Sequence, residues 1–298
     1  MSWQGRLLDR SLRLVVKPRL RRVVAIPEAR RAFRRAALAF RPTPFTRNLL
    51  RPGGLHWIGS GPAQAGRVIL YFHGGGYIVG SPQTHEAMLA RLALLSRVEV
   101  CAPAYRLAPE TPFPGAFDDA LRAWDHLRTL GYARQDIVIG GDSAGGGLAL
   151  ALLAELCQSG QAPAGAFAFS PWTDLALTGP SLLDNSEADA VLPGERIEEL
   201  RDHYLQGQDP RDPRGSPLHA AFPDCPPVLL QCSDSEILRD DSLRMAAHLK
   251  TEGGAVTLEI EPALPHVWHL FDGWLPEARQ SLSRVASFAQ ASFEIVRR

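Results

Sequence analysis

The sequence lacks any apolar run long enough to cross a bilayer, which takes about 18 residues or more. Its first residues, MSWQGRLLDR, also lack the apolar segment of a secretory signal. Only four cysteines occur, and their spacing matches neither a metal site nor a disulfide framework. We therefore expect a cytoplasmic protein without stable membrane insertion, bound metal or disulfides.

Charge is balanced overall, with 32 Lys and Arg against 32 Asp and Glu, but it is unevenly distributed. Residues 1–50 contain 13 basic residues against Asp9 and Glu28, a net charge of +11. A basic segment of this kind could contact anionic lipid or nucleic acid, or act as a transit peptide. It also has a predicted apolar face, formed by Leu7, Leu8, Leu12, Val15 and Val16. Because no aromatic residues alternate with the basic ones, we expect no nucleic-acid partner and favour packing of this face on the chain's own acidic body.

Apolar runs of strand length alternate with segments of helical periodicity along most of the chain. The predicted strands are 55–59, 68–72, 98–102, 137–140, 166–170, 228–232 and 256–260. The predicted helices are 84–96, 116–130, 144–158, 239–252 and 276–296. This alternation indicates an α/β protein with a mostly parallel central sheet flanked by helices on both faces. Residues 1–50 and about 180–220 do not fit the pattern, and we expect them to form a lobe above the sheet.

The stretch IVIGGDSAGGGLALALLAEL predicts a strand, a sharp turn and a helix, with Ser143 at the turn. Gly141 and Gly145 frame this serine as G-x-S-x-G, and small residues there allow backbone segments to approach each other closely. The turn would project the Ser143 hydroxyl above the C-terminal edge of the sheet, at a helix N-terminus that favours an anion. The alternative is a glycine-rich turn with no catalytic role. The strand, turn and helix context favours a nucleophile.

A second stretch, VILYFHGGGYIVGS, has three glycines shortly after a predicted strand. Acyl transfer needs N–H donors close to the oxygen that becomes negatively charged, and a backbone without Cβ atoms can approach it. We predict that Gly74, Gly75 and Gly76 supply donors on one side of this oxyanion hole. The N–H of Ala144 would supply a donor on the opposite side. A phosphate-binding loop is disfavoured, because Tyr-Ile-Val follows the glycines instead of Lys-Ser/Thr and a helix.

Six motifs together resemble those of the hormone-sensitive-lipase-like esterases, the bacterial family IV of the α/β-hydrolases. They are HGGGYIVGS, PAYRLAPETPFPGAFDDA, GDSAGGGLAL, SPWTDL, SPL and LPHVW, in this order. The resemblance extends from about residue 55 to 298, and it implies an α/β-hydrolase fold with a helical cap. It also implies a serine carboxylesterase without metal or cofactor. We accordingly expect 1–50 to be the N-terminal part of the cap and 51–298 the catalytic domain, with about 180–220 contributing to the cap.

The family carries its catalytic residues in the order serine, acid, histidine. The late loop EIEPALPHVWHLF contains His266, which matches the family's base, and His269, which is the alternative. An acidic cluster, CSDSEILRDD, precedes this loop. Its Leu-Arg-Asp aligns with the family's acid motif and assigns the acid to Glu236. Asp234 is the alternative, because it lies closer to the predicted strand end and aspartate is the family's usual residue type.

The expected substrate is a small carboxylic ester with a short- to medium-chain acyl group. Tyr77 and Trp172 lie near the C-terminal ends of predicted strands, where they would line the pocket. Apolar residues of the two cap segments would roof this pocket and limit acyl length: Phe33, Phe40, Phe45, Leu182, Leu183, Leu192 and Tyr204.

Other functions and partners stay open at this stage. A lactone hydrolase or an amidase would need the same three catalytic groups. A non-hydrolytic small-molecule receptor is less favoured, since receptors that resemble this family have lost the histidine that His266 supplies here. A homodimer could form through the predicted edge strand 256–260.

Overall fold

The computed structural model describes residues 1–22 and 25–295. Eight strands form one sheet in the order β1-β2-β4-β3-β5-β6-β7-β8. They are β1 (Thr46–Arg51), β2 (Leu55–Ser60), β3 (Val68–Phe72), β4 (Glu99–Pro103), β5 (Ile137–Asp142), β6 (Gly165–Phe169), β7 (Val228–Ser233) and β8 (Val256–Glu261). The pairs β1–β2 and β2–β4 are antiparallel, and all other pairs are parallel. The expectation of a mostly parallel sheet is confirmed.

Ten α-helices lie in the described part of the chain. They are α1 (Trp3–Ser11), α2 (Lys17–Arg22), α3 (Ile26–Ala37), α4 (Pro82–Ser96), α5 (Gly115–Thr129), α6 (Ser143–Gln158), α7 (Ser181–Asp184), α8 (Ile197–Leu205), α9 (Arg239–Thr251) and α10 (Pro276–Ile295). The five helices predicted from periodicity are present within a few residues, although residue 296 of the last prediction lies outside the described residues. Among the described residues, no helix combines the length and the apolar character needed to cross a membrane.

Helices cover both faces of the sheet, and the alternation of side chains along β3 shows how. Val68, Leu70 and Phe72 belong to the apolar cluster that includes α5, α6 and α9. Ile69 and Tyr71 belong to the opposite cluster, which includes α4 and α10. Because successive strand residues point to opposite faces, a strand that is apolar throughout must be covered on both sides.

Strand β1 was not predicted from the sequence, and it lies in the segment expected to belong to the cap. It pairs with β2 along its whole length, from Thr46 opposite Ser60 to Arg51 opposite Leu55. Its side chains are mostly exposed, so the segment carries no apolar alternation that periodicity could detect. Backbone pairing at the sheet edge forms this strand, and the expected domain boundary at residue 50 falls inside it.

The N-terminal helices contact the second cap segment directly. The Lys17 ammonium donates hydrogen bonds to the carbonyl oxygens of Ser186 at 2.5 Å and Asp189 at 2.8 Å. The Arg13 guanidinium donates to the carbonyl of Glu187 at 2.6 Å. The two segments that did not fit the strand and helix alternation therefore lie side by side.

The apolar face expected on the N-terminal segment is only partly buried. Leu12 is buried, and Leu8 packs against a small apolar cluster that contains Trp268. Leu7 and Val15 are exposed instead. The expected packing of this face is confirmed for Leu8 and Leu12 and was wrong for Leu7 and Val15.

Candidate active site

Ser143 lies at the sharp turn between β5 and α6. Its φ is +53°, a left-handed conformation that is rare for a residue with a side chain and typical of a strained turn at a functional site. A Cβ at Gly141 would lie 2.2 Å from the Gly145 carbonyl oxygen, and one at Gly145 would lie 2.2 Å from the Phe72 carbonyl oxygen. Both contacts are shorter than any side chain tolerates. The glycines of the G-x-S-x-G motif therefore permit the turn that presents the serine.

Three side chains predicted from separate parts of the sequence meet at the C-terminal edge of the sheet. His266, in the loop after β8, has its Nε2 2.9 Å from Ser143 Oγ. The His266 Nδ1 lies 2.6 Å from Oε2 of Glu236, which is fully buried in the loop after β7. Because parallel strands end at the same edge, residues far apart in sequence form one continuous hydrogen-bonded chain.

The Glu236 carboxylate is held by two further donors on its other oxygen. Its Oε1 accepts a hydrogen bond from the Ser170 hydroxyl at 2.8 Å and another from the Ser233 N–H at 2.7 Å. Oε2 thus remains directed at His266. Sequence reasoning did not identify Ser170, although this residue opens the SPWTDL motif. Its role depends on the adjacency of β6 and β7, which the motif alone does not reveal.

Burial and charge act in opposite directions on the His266 imidazole. Burial disfavours the imidazolium and lowers the pKa, whereas the Glu236 carboxylate and its hydrogen bond raise it. The net pKa of His266 lies above its ordinary value. An imidazole that is easily protonated is suited to accept the proton of the Ser143 hydroxyl.

The two alternatives considered from the sequence make other contacts. The Asp234 carboxylate accepts a hydrogen bond from the Ala263 N–H at 2.7 Å. His269 has its Nε2 2.8 Å from Gln231 Oε1, and its ring stacks on Phe169 with centroids 3.8 Å apart. Burial lowers the pKa of His269 well below its ordinary value. Asp234 therefore does not take the place of Glu236 beside His266, and His269 does not take the place of His266 beside Ser143.

The glycine loop after β3 runs beside the Ser143 turn, and a hydrogen bond to the Asp142 side chain holds it there. The Gly74 N–H donates to Asp142 Oδ1 at 2.9 Å, and the Tyr71 hydroxyl donates to the same oxygen at 2.8 Å. Gly74, expected to be an oxyanion donor, therefore has its N–H directed elsewhere. Gly75 and Gly76 have φ values of +125° and +60°, conformations that glycine adopts most readily.

Tyr77 and Trp172, predicted to line the pocket, are both almost fully buried, with ring centroids 6.4 Å apart. Tyr77 stacks face to face on Tyr204 of cap helix α8 at 3.8 Å. Leu200 of the same helix lies over the glycine loop, since a Cβ at Gly76 would be 3.4 Å from its Cδ1. Helix α8 therefore covers the glycine loop and Tyr77.

Not all of the expected roof residues lie above the site. Leu182 and Tyr204 are buried and Leu192 packs against the main apolar cluster, whereas Phe45 and Leu183 are exposed.

A cavity of about 720 Å³ lies to one side of the site, between α3, the start of α4 and residues 106–111. Ser143, Tyr77 and Trp172 do not line this cavity.

The second cap segment also holds the backbone of the loop that carries Glu236. The Asn185 carboxamide donates to the carbonyl oxygens of Asp234 at 2.8 Å and of Glu236 at 2.7 Å. The Ile237 N–H donates to Asp189 Oδ2 at 3.1 Å. Sequence reasoning missed both cap residues, because no local motif connects them with an acidic loop some fifty residues later in the chain.

The sheet order, the serine turn and the late histidine define an α/β-hydrolase. A family model described as alpha/beta hydrolase fold matches residues 69–270. An acetyl-hydrolase of Streptomyces hygroscopicus is 37% identical over 230 residues, which cover 77% of each chain. An esterase of Acinetobacter venetianus is 38% identical over 229 residues, 76% of each chain.

Solved structures agree with these relatives. The crystal structure of an esterase from the bacterial hormone-sensitive lipase family superposes with a TM-score of 0.92 at 33% identity, covering 98% of this chain and 99% of that one. The chain belongs to the hormone-sensitive-lipase-like esterases of the α/β-hydrolase superfamily, and it is a carboxylic ester hydrolase.

Proposed function

We propose that the protein is a serine carboxylesterase that uses Ser143 as nucleophile, His266 as base and Glu236 as acid. The observation that carries this proposal is the continuous chain of contacts, 2.9 Å from Ser143 Oγ to His266 Nε2 and 2.6 Å from His266 Nδ1 to Glu236 Oε2. Nucleophile, base and orienting acid within hydrogen-bond reach are the recognised signature of an activated serine.

The first half of the reaction forms an acyl-enzyme. As Ser143 Oγ attacks the ester carbonyl carbon, His266 Nε2 takes the hydroxyl proton and the carbonyl oxygen becomes an oxyanion. When the tetrahedral intermediate collapses, the bond to the alcohol oxygen breaks and His266 returns the proton to the leaving alcohol. Glu236 stabilises the imidazolium that forms between these two transfers.

The second half repeats these transfers with water. His266 takes a proton from a water molecule as the water attacks the acyl carbon, and then protonates Ser143 Oγ as the acid product leaves. The N–H groups of Gly75, Gly76 and Ala144 would donate to the oxyanion in both halves. Ala144 stands in the first turn of α6, where N–H groups have no partner within the helix.

The acyl group is expected to be short, about two to eight carbons, because cap side chains close the space above the glycine loop. Support comes from Leu200, whose Cδ1 would lie 3.4 Å from a Cβ at Gly76, and from Tyr204 stacked on Tyr77. The relative in Streptomyces hygroscopicus is named an acetyl-hydrolase, which agrees with a short acyl group. A lactone hydrolase or amidase of the same mechanism remains the second candidate.

The direct test of the nucleophile and base measures hydrolysis of 4-nitrophenyl acetate by Ser143→Ala and His266→Ala. Each variant should lose at least about 10³-fold in kcat, because members of such a triad act as a unit. Wild-type protein should show a burst of nitrophenol and a mass increase of one acetyl group on the Ser143 peptide. Retention of about a tenth of wild-type activity in either folded variant would contradict the assignment.

The test of acyl selectivity compares nitrophenyl esters of increasing chain length, together with a set of lactones. Leu200→Ala should shift the preference toward longer acyl groups, because it removes side-chain volume next to Gly76. Leu183→Ala is the matched control, since this leucine lies in the same cap but is exposed. An equal shift in both variants, or in neither, would contradict the proposed pocket. Faster turnover of lactones than of linear esters would favour the second candidate.

A further inference from the structure

The N-terminal helices carry an exposed apolar stripe. Trp3 is 64% exposed, Leu7 is 59% exposed and Leu14 is 73% exposed. Spacings of four and seven residues place these side chains on one side of a helical segment that continues from α1 through a π-helical turn at Leu12–Val16 into α2. Large apolar side chains that lie singly on a surface need no explanation, but a row of three on one helix face does.

The opposite side of this segment attaches it to the protein. Gly5, Leu12 and Lys17 are buried there, and Lys17 donates hydrogen bonds to the cap carbonyls of Ser186 and Asp189. The Ser2 hydroxyl adds a hydrogen bond to Glu277 of α10 at 3.0 Å. The helices are therefore held by their buried side, and the exposed stripe is not required for that attachment.

Basic side chains accompany the stripe. Arg6, Arg10, Arg19 and Arg22 are all exposed on the same helices. The acidic side chain of α1, Asp9, is paired with Arg13 at 2.8 Å. A surface that combines exposed Trp and Leu with several arginines has the composition of a helix that lies in a membrane interface, with its apolar side chains between lipid headgroups.

We propose that this face docks on a membrane surface rich in anionic phospholipid. The arginines would bind headgroup phosphates, while Trp3, Leu7 and Leu14 would enter the boundary between headgroups and acyl chains. A second copy of the chain fits less well, because two copies of residues 1–22, each with seven basic residues against Asp9, would face each other. Nucleic acid phosphates could pair with the arginines, but nucleic acid would not bury the leucine side chains. The proposal is independent of the catalytic assignment.

The experiment measures co-sedimentation of the full chain with vesicles of phosphatidylglycerol and phosphatidylcholine, and with phosphatidylcholine vesicles alone. We expect binding to the anionic vesicles that weakens with added salt, and little binding to the neutral ones. The triple variant Trp3→Ser, Leu7→Ser, Leu14→Ser should bind the anionic vesicles at least tenfold more weakly. A matched triple variant, Phe45→Ser, Leu49→Ser, Leu50→Ser, removes exposed apolar groups elsewhere and should bind like wild type.

Fluorescence gives a second readout at the stripe itself. When wild type binds anionic vesicles, entry of Trp3 into the membrane boundary should shift its tryptophan emission to shorter wavelength. Trp3→Phe keeps an apolar side chain, so it should bind vesicles as wild type does but lose most of this shift. Hydrolysis of a soluble ester by every variant serves as the control for folding. The proposal is overturned if wild type fails to bind anionic vesicles, if the two triple variants bind equally, or if RNA is bound more tightly than vesicles. It is also overturned if the stripe variant changes only the oligomeric state measured by light scattering.

Discussion

Replacing Glu236 by glutamine should reverse the hydrogen-bond direction at His266. Two donors, the Ser233 N–H and the Ser170 hydroxyl, point at Oε1, so the amide oxygen of the new side chain should occupy that site. The NH₂ group would then take the place of Oε2, 2.6 Å from His266 Nδ1. The imidazole must accept that hydrogen bond at Nδ1 and carry its proton on Nε2. A ring protonated at Nε2 cannot take the proton of Ser143.

The size of the effect follows from the charge that is lost. A carboxylate centred about 4 Å from an imidazolium stabilises it by about 4 kcal/mol at the effective dielectric constant that suits protein sites. Since 1.36 kcal/mol corresponds to a factor of ten in rate, this loss predicts a decrease of about 10³-fold in kcat. The tautomer change acts in the same direction. Asp234→Asn removes a charge of the same sign that contacts the Ala263 N–H, and it should change kcat by less than about threefold.

The assay is steady-state hydrolysis of 4-nitrophenyl butyrate from pH 5 to 10, with thermal unfolding of each variant as the control for stability. The residual activity of Glu236→Gln should extend to lower pH than that of wild type. Without the Glu236 carboxylate, the burial that lowers the pKa of His266 is opposed only by the smaller effects of the Asp189 and Asp142 carboxylates. A larger loss in Asp234→Asn than in Glu236→Gln, at equal stability, would refute the assignment of the acid.

Three further outcomes are expected. In wild type, kcat/KM should fall as pH decreases through the raised pKa of His266, because the protonated ring cannot act as a base; a flat profile down to pH 5 would contradict this. Asn185→Ala should lower kcat about tenfold with little change in KM, because it frees two backbone carbonyls that position Glu236; an effect on KM alone would indicate a different role. Gly145→Ala should lower the free energy of unfolding by about 1–3 kcal/mol in urea titrations, since its Cβ would meet the Phe72 carbonyl; unchanged stability would contradict that contact.

Local patterns in the sequence were sufficient to predict seven of the eight strands and the sharp turn at Ser143. Strands β2, β3, β5, β6 and β7 are buried along their whole length, and such strands can be recognised as short apolar runs. The edge strand β8 was also predicted, although it is only partly buried. The serine turn is encoded within five residues, because the glycines that permit it are its immediate neighbours. The late histidine was found from the order of motifs along the chain.

Features that depend on tertiary contacts could not be predicted in the same way. Strand β1 is largely exposed and forms because β2 offers an unpaired edge. Leu7 and Val15 have helical spacing, yet spacing alone cannot reveal which helix face meets the protein. The Gly74 N–H was expected to point toward substrate, but the buried Asp142 carboxylate accepts it, and no local pattern predicts a contact between residues 68 positions apart.

The second cap segment and the loop that carries Glu236 form one hydrogen-bonded unit. Asp189 accepts hydrogen bonds from the N–H groups of Val191 and Leu192 in the cap at 2.8 and 2.9 Å, and from that of Ile237, next to Glu236, at 3.1 Å. Its own carbonyl is bound by Lys17. Movement of this segment away from the sheet would break the bond to the Ile237 N–H and the two bonds from Asn185 to the carbonyls of Asp234 and Glu236, and would release the Glu236 loop. We therefore expect a cap that stays attached during turnover, with substrate entering beside it.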